Sequence, residues 1–194
     1  MLGDSTSGKT NLISRYCKDS FDSESKPTIG IDGSFKLMNI QGKNTRIIFV
    51  IYIQWDLGSK YIRKFTIGCI AKRVDGIAIV YDKSNTESFN NIDQFLSYIK
   101  FREKYPKDVI LIGNKTDISQ SQTIDSDAGF CKASEIGIPY AEVSAKTGFN
   151  VSHAFCSLIT KIFKKRSHGD SSRRIVLSEH KLRSTNKKLL KCSA

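Results

Sequence analysis

Residues 3–10 read Gly3-Asp4-Ser5-Thr6-Ser7-Gly8-Lys9-Thr10, a full match to G-x-x-x-x-G-K-[ST]. Glycines at both ends let the main chain curl until several N–H groups point at one anion. A helix opening near Gly8 adds the positive end of its dipole. Lys9 is placed to reach β- and γ-phosphates, and the Thr10 hydroxyl to hold Mg²⁺. Asn11, next in the helix, belongs to the same nucleotide-binding set. Such a loop normally follows a buried strand, yet only Met1-Leu2 precede it. Two residues fall short of a strand of about 5–6, so the sheet is expected with its first strand largely missing.

The rest of the chain up to about residue 164 alternates strand-like and helix-like segments. Residues 35–41 and 45–55 predict a hairpin turning at Gly42-Lys43-Asn44. The runs 76–81, 109–112 and 139–143 predict short buried parallel strands. Phe89, Ile92, Phe95, Leu96 and Ile99 share one helical face, as do Ala154, Phe155, Leu158, Ile159, Ile162 and Phe163. Residues 125–135 predict another helix, capped by Gly137. This alternation predicts an α/β fold, a mostly parallel sheet covered on both faces.

Two loops at predicted strand ends carry the next signal. Asn114-Lys115-Thr116-Asp117 follows the apolar run 109–113. Ligands bind at the carboxyl ends of strands in such sheets. The Asp117 carboxylate can accept two N–H bonds from guanine, a pair that adenine does not offer. The stem of Lys115 can lie on a purine face, and the Asn114 amide can tie loops together. Ser144-Ala145-Lys146 follows the weaker strand 139–143, where the Ala145 N–H can donate to the guanine oxygen.

Composition narrows the class. The 194 residues are 39% hydrophobic and 26% charged, with a net charge of +12. Eleven Lys/Arg against two acids lie in residues 161–194, a net +9, which leaves +3 on the first 160. The basic excess is therefore mostly a tail, which argues against a nucleic-acid-binding core. Residues 167–194 are expected as a disordered basic arm on a domain of residues 1–166. Five cysteines without a C-x-x-C pair, and three histidines, argue against a zinc site and for a reducing compartment.

These loops, in this order, resemble the small GTPases of the Ras superfamily, and the Rab branch above all. Pro27-Thr28-Ile29-Gly30-Ile31-Asp32, Val80-Tyr81-Asp82, Glu87-Ser88-Phe89-Asn90-Asn91-Ile92 and Glu142-Val143-Ser144-Ala145-Lys146-Thr147-Gly148 carry the likeness. The resemblance implies a three-layer P-loop NTPase (small G-protein) fold, with a six-stranded sheet and five helices. It implies GTP/GDP as ligand with Mg²⁺ as cofactor, held by Thr10, Thr28 and Asp56. Thr28 matches the first-switch threonine that senses the γ-phosphate, and Phe21 the aromatic that packs on guanine. Implied partners are effectors, an exchange factor and an activating protein, around a monomeric switch in vesicle traffic.

The chain departs from the family after Asp56. Where the family reads Thr-Ala-Gly-Gln-Glu, this chain reads Leu57-Gly58-Ser59-Lys60-Tyr61. Lys60 stands at the position of the glutamine that orients the attacking water, and a charged lysine cannot accept a proton. Gly58 can replace the γ-phosphate glycine if the loop is one residue shorter. With Lys9 and Thr28 as the other catalytic positions, slow intrinsic hydrolysis is expected. Gly33-Ser34 read as an insertion at the end of the first switch.

The chain ends Lys191-Cys192-Ser193-Ala194. Cys192 is the candidate lipidation site, though a strict C-a-a-X box needs cysteine fourth from the end. One prenyl chain beside basic residues would hold the protein on the cytosolic face of an intracellular membrane, and otherwise it is cytoplasmic. A degenerate GTPase acting as a binding scaffold is the alternative reading.

Overall fold

A computed structural model describes residues 1–24, 31–52, 60–71, 73–99, 108–118 and 123–168. In chain order the elements are α1 (Lys9–Lys18), β1 (Ile31–Ile40), β2 (Lys43–Tyr52), α2 (Lys60–Ala71), β3 (Gly76–Asp82), α3 (Thr86–Asn90), α4 (Ile92–Ile99), β4 (Asp108–Asn114), α5 (Ser126–Ile136), β5 (Tyr140–Glu142) and α6 (Val151–His168). Contacts divide the chain into two compact units, Met1–Phe163 and Lys164–Ala194. The arm expected over 167–194 lies almost wholly outside the described residues.

β3, β4 and β5 form a parallel sheet in that order. Side chains alternate across it, as a pleat of period two requires. Ala78, Val80, Ile110 and Ile112 enter one core, with Leu12, Ile13 and Tyr16 of α1 and Val151, Ala154 and Phe155 of α6. Ile77, Ile79, Tyr81, Val109 and Leu111 enter the other, with Ile67 of α2, Ile92, Phe95 and Ile99 of α4, and Ala133 of α5. The result is three layers, with both faces of the sheet buried.

Among the described residues there are five strands in two sheets, not a single sheet of six. β1 and β2 pair antiparallel as a separate hairpin. Leu2 stands where the first strand is expected, reduced to one bridge parallel to Ile79. Its N–H donates to the Ala78 carbonyl and its carbonyl accepts from the Val80 N–H, both at 2.8 Å. The Met1 nitrogen reaches the Val50 carbonyl of β2 on the other side. These two residues thus sit between hairpin and parallel sheet.

Two expectations need correction. The hairpin turns at Gln41-Gly42, one residue earlier than the sequence suggested. Both residues have left-handed φ, 52° and 78°, which a two-residue turn matched to strand twist demands. Gly33 and Ser34, read as an insertion, lie inside β1, where they pair with Val50 and Phe49. The five helices become six described elements because the run 86–99 breaks at Asn91, which separates α3 from α4. The Asn85 side chain caps α3 by accepting from the Glu87 and Ser88 N–H groups.

Candidate functional site

The phosphate loop bends between two glycines, both in backbone conformations that L side chains rarely adopt. Gly3 has φ +139°, and a Cβ there would lie 2.0 Å from the Val80 carbonyl oxygen. Gly8 has φ +82°, and its Cβ would lie 2.5 Å from Asn114 Nδ2. Ser5 and Thr6 form the exposed tip, whereas Ser7 is buried. The Ser7 hydroxyl donates to the Asp4 carbonyl at 2.9 Å and tightens the curl.

Lys9 opens α1 and is 3% exposed. Its ammonium donates to the Gly3 carbonyl at 2.8 Å and to the Asp4 carbonyl. Burial lowers its pKa to about 8, partly offset by the Asp4 carboxylate. Thr10 lies next to it in the first turn of α1. Asn11 is turned the other way. Its amide donates to the Asp22 carbonyl at 2.8 Å and accepts from the Asp22 N–H at 3.2 Å, and this fixes the segment that carries the exposed Phe21.

Asn114 ends β4, 1% exposed, and joins two loops at once. Its Nδ2 donates to the Ser7 carbonyl at 2.9 Å, and its Oδ1 accepts from the Ala145 N–H at 3.2 Å. The Ala145 N–H is therefore engaged with a side chain, where the sequence assigned it to the guanine oxygen. Lys115 has left-handed φ, 69°, and its ammonium lies 2.6 Å from Asp82 Oδ2, which stretches its stem along the strand ends. The Asp117 carboxylate accepts from the Ser144 hydroxyl at 2.6 Å, with the Lys146 ammonium 4.0 Å away. Thr116 N–H donates to the Val143 carbonyl, so the two loops also share a main-chain bond.

Four predicted site positions escape this geometry. Thr28, Asp56, Gly58 and Cys192 lie outside the described residues. Lys60 begins α2, with only its backbone described. Of the three residues expected to hold Mg²⁺, Thr10 alone is described. Its place directly after Lys9, in a loop shaped for phosphate, suits that role.

Several supporting residues were not singled out from sequence. Lys83, 6% exposed, donates to Glu142 Oε1 at 2.6 Å and to the Ser126 hydroxyl at 3.0 Å. Tyr140 donates to the same carboxylate at 2.8 Å and meets the Tyr81 hydroxyl at 2.7 Å. Burial alone would raise the Glu142 pKa, but the bonds from Lys83, Ser126 and Tyr140 outweigh it and hold the carboxyl below its usual range. Burial pushes the Tyr81 hydroxyl up to about 12 and Tyr140 higher still. Asn91, at the helix break, donates to Asp4 Oδ2 at 3.0 Å. The visible clue was a lysine directly after an apolar strand and a glutamate at the next strand's end.

Comparisons with known proteins place the chain among its relatives. Residues 1–164 match the model of the Ras family. The chain is 35% identical over 169 residues to Ras-related protein RABD1 of Arabidopsis thaliana, covering 85% of this chain and 78% of that protein. It is 33% identical over 171 residues to GTP-binding protein YPTM1 of Zea mays, covering 86% and 78%. It is 35% identical over 166 residues to Ras-related protein RABD2a of Arabidopsis thaliana, covering 84% and 77%. With the phosphate loop and both strand-end loops meeting at Asn114, the chain belongs to the Ras family and is a Rab-like small GTPase.

Proposed function

We propose that this chain is a GTP/GDP-dependent switch in vesicle trafficking with slow intrinsic hydrolysis. The observation that carries the nucleotide assignment is the position of Asn114, whose single amide links the phosphate loop at Ser7 to the base loop at Ala145. Phosphate and guanine recognition then fall on one continuous ledge at the carboxyl ends of β3, β4 and β5. The nucleotide would lie with its phosphates on residues 3–10 and its base against Asn114, Lys115, Asp117 and residues 144–146. Thr10, Thr28 and Asp56 would hold Mg²⁺, which neutralises charge on the phosphates when bound.

Slow hydrolysis rests on Lys60. In trans, an activating protein would have to supply the water-positioning group that this chain lacks in the glutamine position. Effectors and an exchange factor complete the partner set of a monomeric switch. The basic end and Cys192 would bring the protein to the cytosolic face of an intracellular membrane. Among the described residues no helix is long and apolar enough to cross a membrane.

Nucleotide extracted from the purified protein, followed by single-turnover GTP hydrolysis, tests the reading. Bound GDP or GTP with slow turnover is expected, and Lys60→Gln should raise the rate. Turnover as fast as in glutamine-bearing relatives would overturn the slow-hydrolysis half. Protein that carries no guanine nucleotide and takes none up would favour the scaffold reading, to which residues 57–61 lend support. Intact mass after expression in a eukaryotic host tests lipidation, with the gain of a prenyl group at Cys192 expected.

A further inference from the structure

Arg15 lies on α1, six residues beyond Lys9, and its side chain is 18% exposed. Its guanidinium crosses 130 positions of sequence to the second base loop. Nε donates to the Ala145 carbonyl at 2.9 Å and Nη2 to the Lys146 carbonyl at 2.9 Å. Nη1 turns back to the Asp19 carbonyl at 3.0 Å and its carboxylate at 2.9 Å. All three nitrogens are therefore committed, two of them to main-chain carbonyls of one loop. Gly148, at φ +82°, turns the chain beside the Arg15 stem, with its Cβ position 3.6 Å from Cδ.

Ala145 is thereby held on both sides. Asn114 takes its N–H and Arg15 takes its carbonyl. The same loop supplies the Ser144 hydroxyl that donates to Asp117. A planar fork fixes two adjacent carbonyls in direction as well as distance, which a single ammonium cannot do. The Asp19 pair is a different matter. The Asp19 side chain is 90% exposed, and exposed pairs contribute little.

We propose that Arg15 is a positioning residue for guanine recognition: it clamps the loop 144–146 against the helix that begins in the phosphate loop, and so sets the aim of Asp117 at the base. This deepens the proposed function and rests on its assignment of these loops to guanine. Arg15 touches no nucleotide atom in this scheme, and its effect on selectivity passes through the loop.

The test compares release rates and affinities of GDP and IDP, whose base lacks the exocyclic amine that Asp117 would read. Arg15→Met keeps the stem and removes every donor. GDP release should quicken about tenfold, the scale of losing charge-assisted hydrogen bonds. The preference for GDP over IDP should shrink with it. Arg15→Lys keeps the charge and should restore only part of that preference, because the fork is gone. Asp19→Asn removes the exposed pair and should leave both readouts within twofold of the unsubstituted protein.

An Arg15→Met protein with a lower melting temperature but an unchanged GDP/IDP preference overturns the proposal, since that is what a merely structural arginine would give. If Arg15→Met does not fold, Arg15→Lys decides alone: full preference overturns the proposal and reduced preference upholds it. Unsubstituted protein that binds neither nucleotide refutes the proposed function and this inference together. Unsubstituted protein that binds GDP, with variants that match it, refutes this inference only.

Discussion

The Asn114 amide donates to the Ser7 carbonyl at 2.9 Å, across 107 positions of sequence. Both groups are buried, and the other end of the same amide accepts from Ala145. Asn114→Ala would leave a buried carbonyl and a buried N–H without partners. The expected loss is about 2 kcal/mol or more, read by urea unfolding, with at least roughly tenfold faster GDP release. Asn114→Asp keeps the acceptor and sets a second oxygen against the Ser7 carbonyl, so it should be no milder. A variant that keeps full affinity would show that the two loops do not depend on this side chain.

Glycine substitutions should rank by their surroundings. Gly3→Ala places a methyl 2.0 Å from the Val80 main-chain oxygen, where no flexible side chain can yield. It should break the Leu2–Ile79 bridge and yield little folded protein. Gly42→Ala meets nothing within 4 Å and bears only the left-handed φ of +78°. It should cost about 1 kcal/mol. Thermal unfolding of the two variants checks the order, and a mild Gly3→Ala would contradict it.

Nucleotide affinity should fall as pH rises through 8. Burial has lowered the Lys9 pKa to about 8, and a phosphate beside it favours the charged form. Binding therefore takes up a proton once the solution is above that value, and none well below it. From about pH 7 to about pH 8.5 the affinity for GDP should drop about fourfold. Calorimetry in buffers of different ionisation heat measures the proton taken up. A flat profile with no proton uptake would mean that Lys9 stays charged throughout.

Lys83→Met should destabilise the sheet end by about 2–3 kcal/mol, because the Glu142 carboxylate loses its one cationic partner and keeps only neutral donors. The sign with pH follows from Glu142. Its folded pKa lies below the ordinary 4.5, so the pair's stabilisation is complete above 4.5 and is lost as pH falls below that value through the folded one. The gap in melting temperature between the two proteins should be widest near neutrality and begin to close only as pH falls below 4.5. A gap that stays constant over that range would assign the effect to packing alone.

Much of the fold was legible because burial leaves a period in the sequence. β3 and β4 are buried on both faces, and their unbroken apolar runs reported it. The phosphate loop was legible because its glycines are dictated by contacts under 3 Å. The turn at Gln41-Gly42 was harder, since glutamine rarely takes left-handed φ and the polar run beyond it looked equally suitable. The break at Asn91 was hidden because the apolar face continues on both sides of it, with Phe89, Ile92 and Phe95 all turned to one core. Arg15 and Lys83 were illegible for a general reason. Their partners are main-chain carbonyls or distant carboxylates, which imprint no spacing near the residue itself.

The separation of hairpin from parallel sheet has a thermal consequence. β3, β4 and β5 are held by peptide hydrogen bonds along their length, whereas among the described residues the hairpin meets that sheet through the Leu2 bridge and the Met1–Val50 bond. What seats it is Ile40, Phe49 and Ile51 against Leu12, Tyr16 and Phe155. Attraction of that kind weakens on cooling, while hydrogen-bonded ladders do not share the trend. Refrigeration should therefore strain this seam first, and amide exchange in β1 and β2 near freezing would register it before any change in β3 or β4.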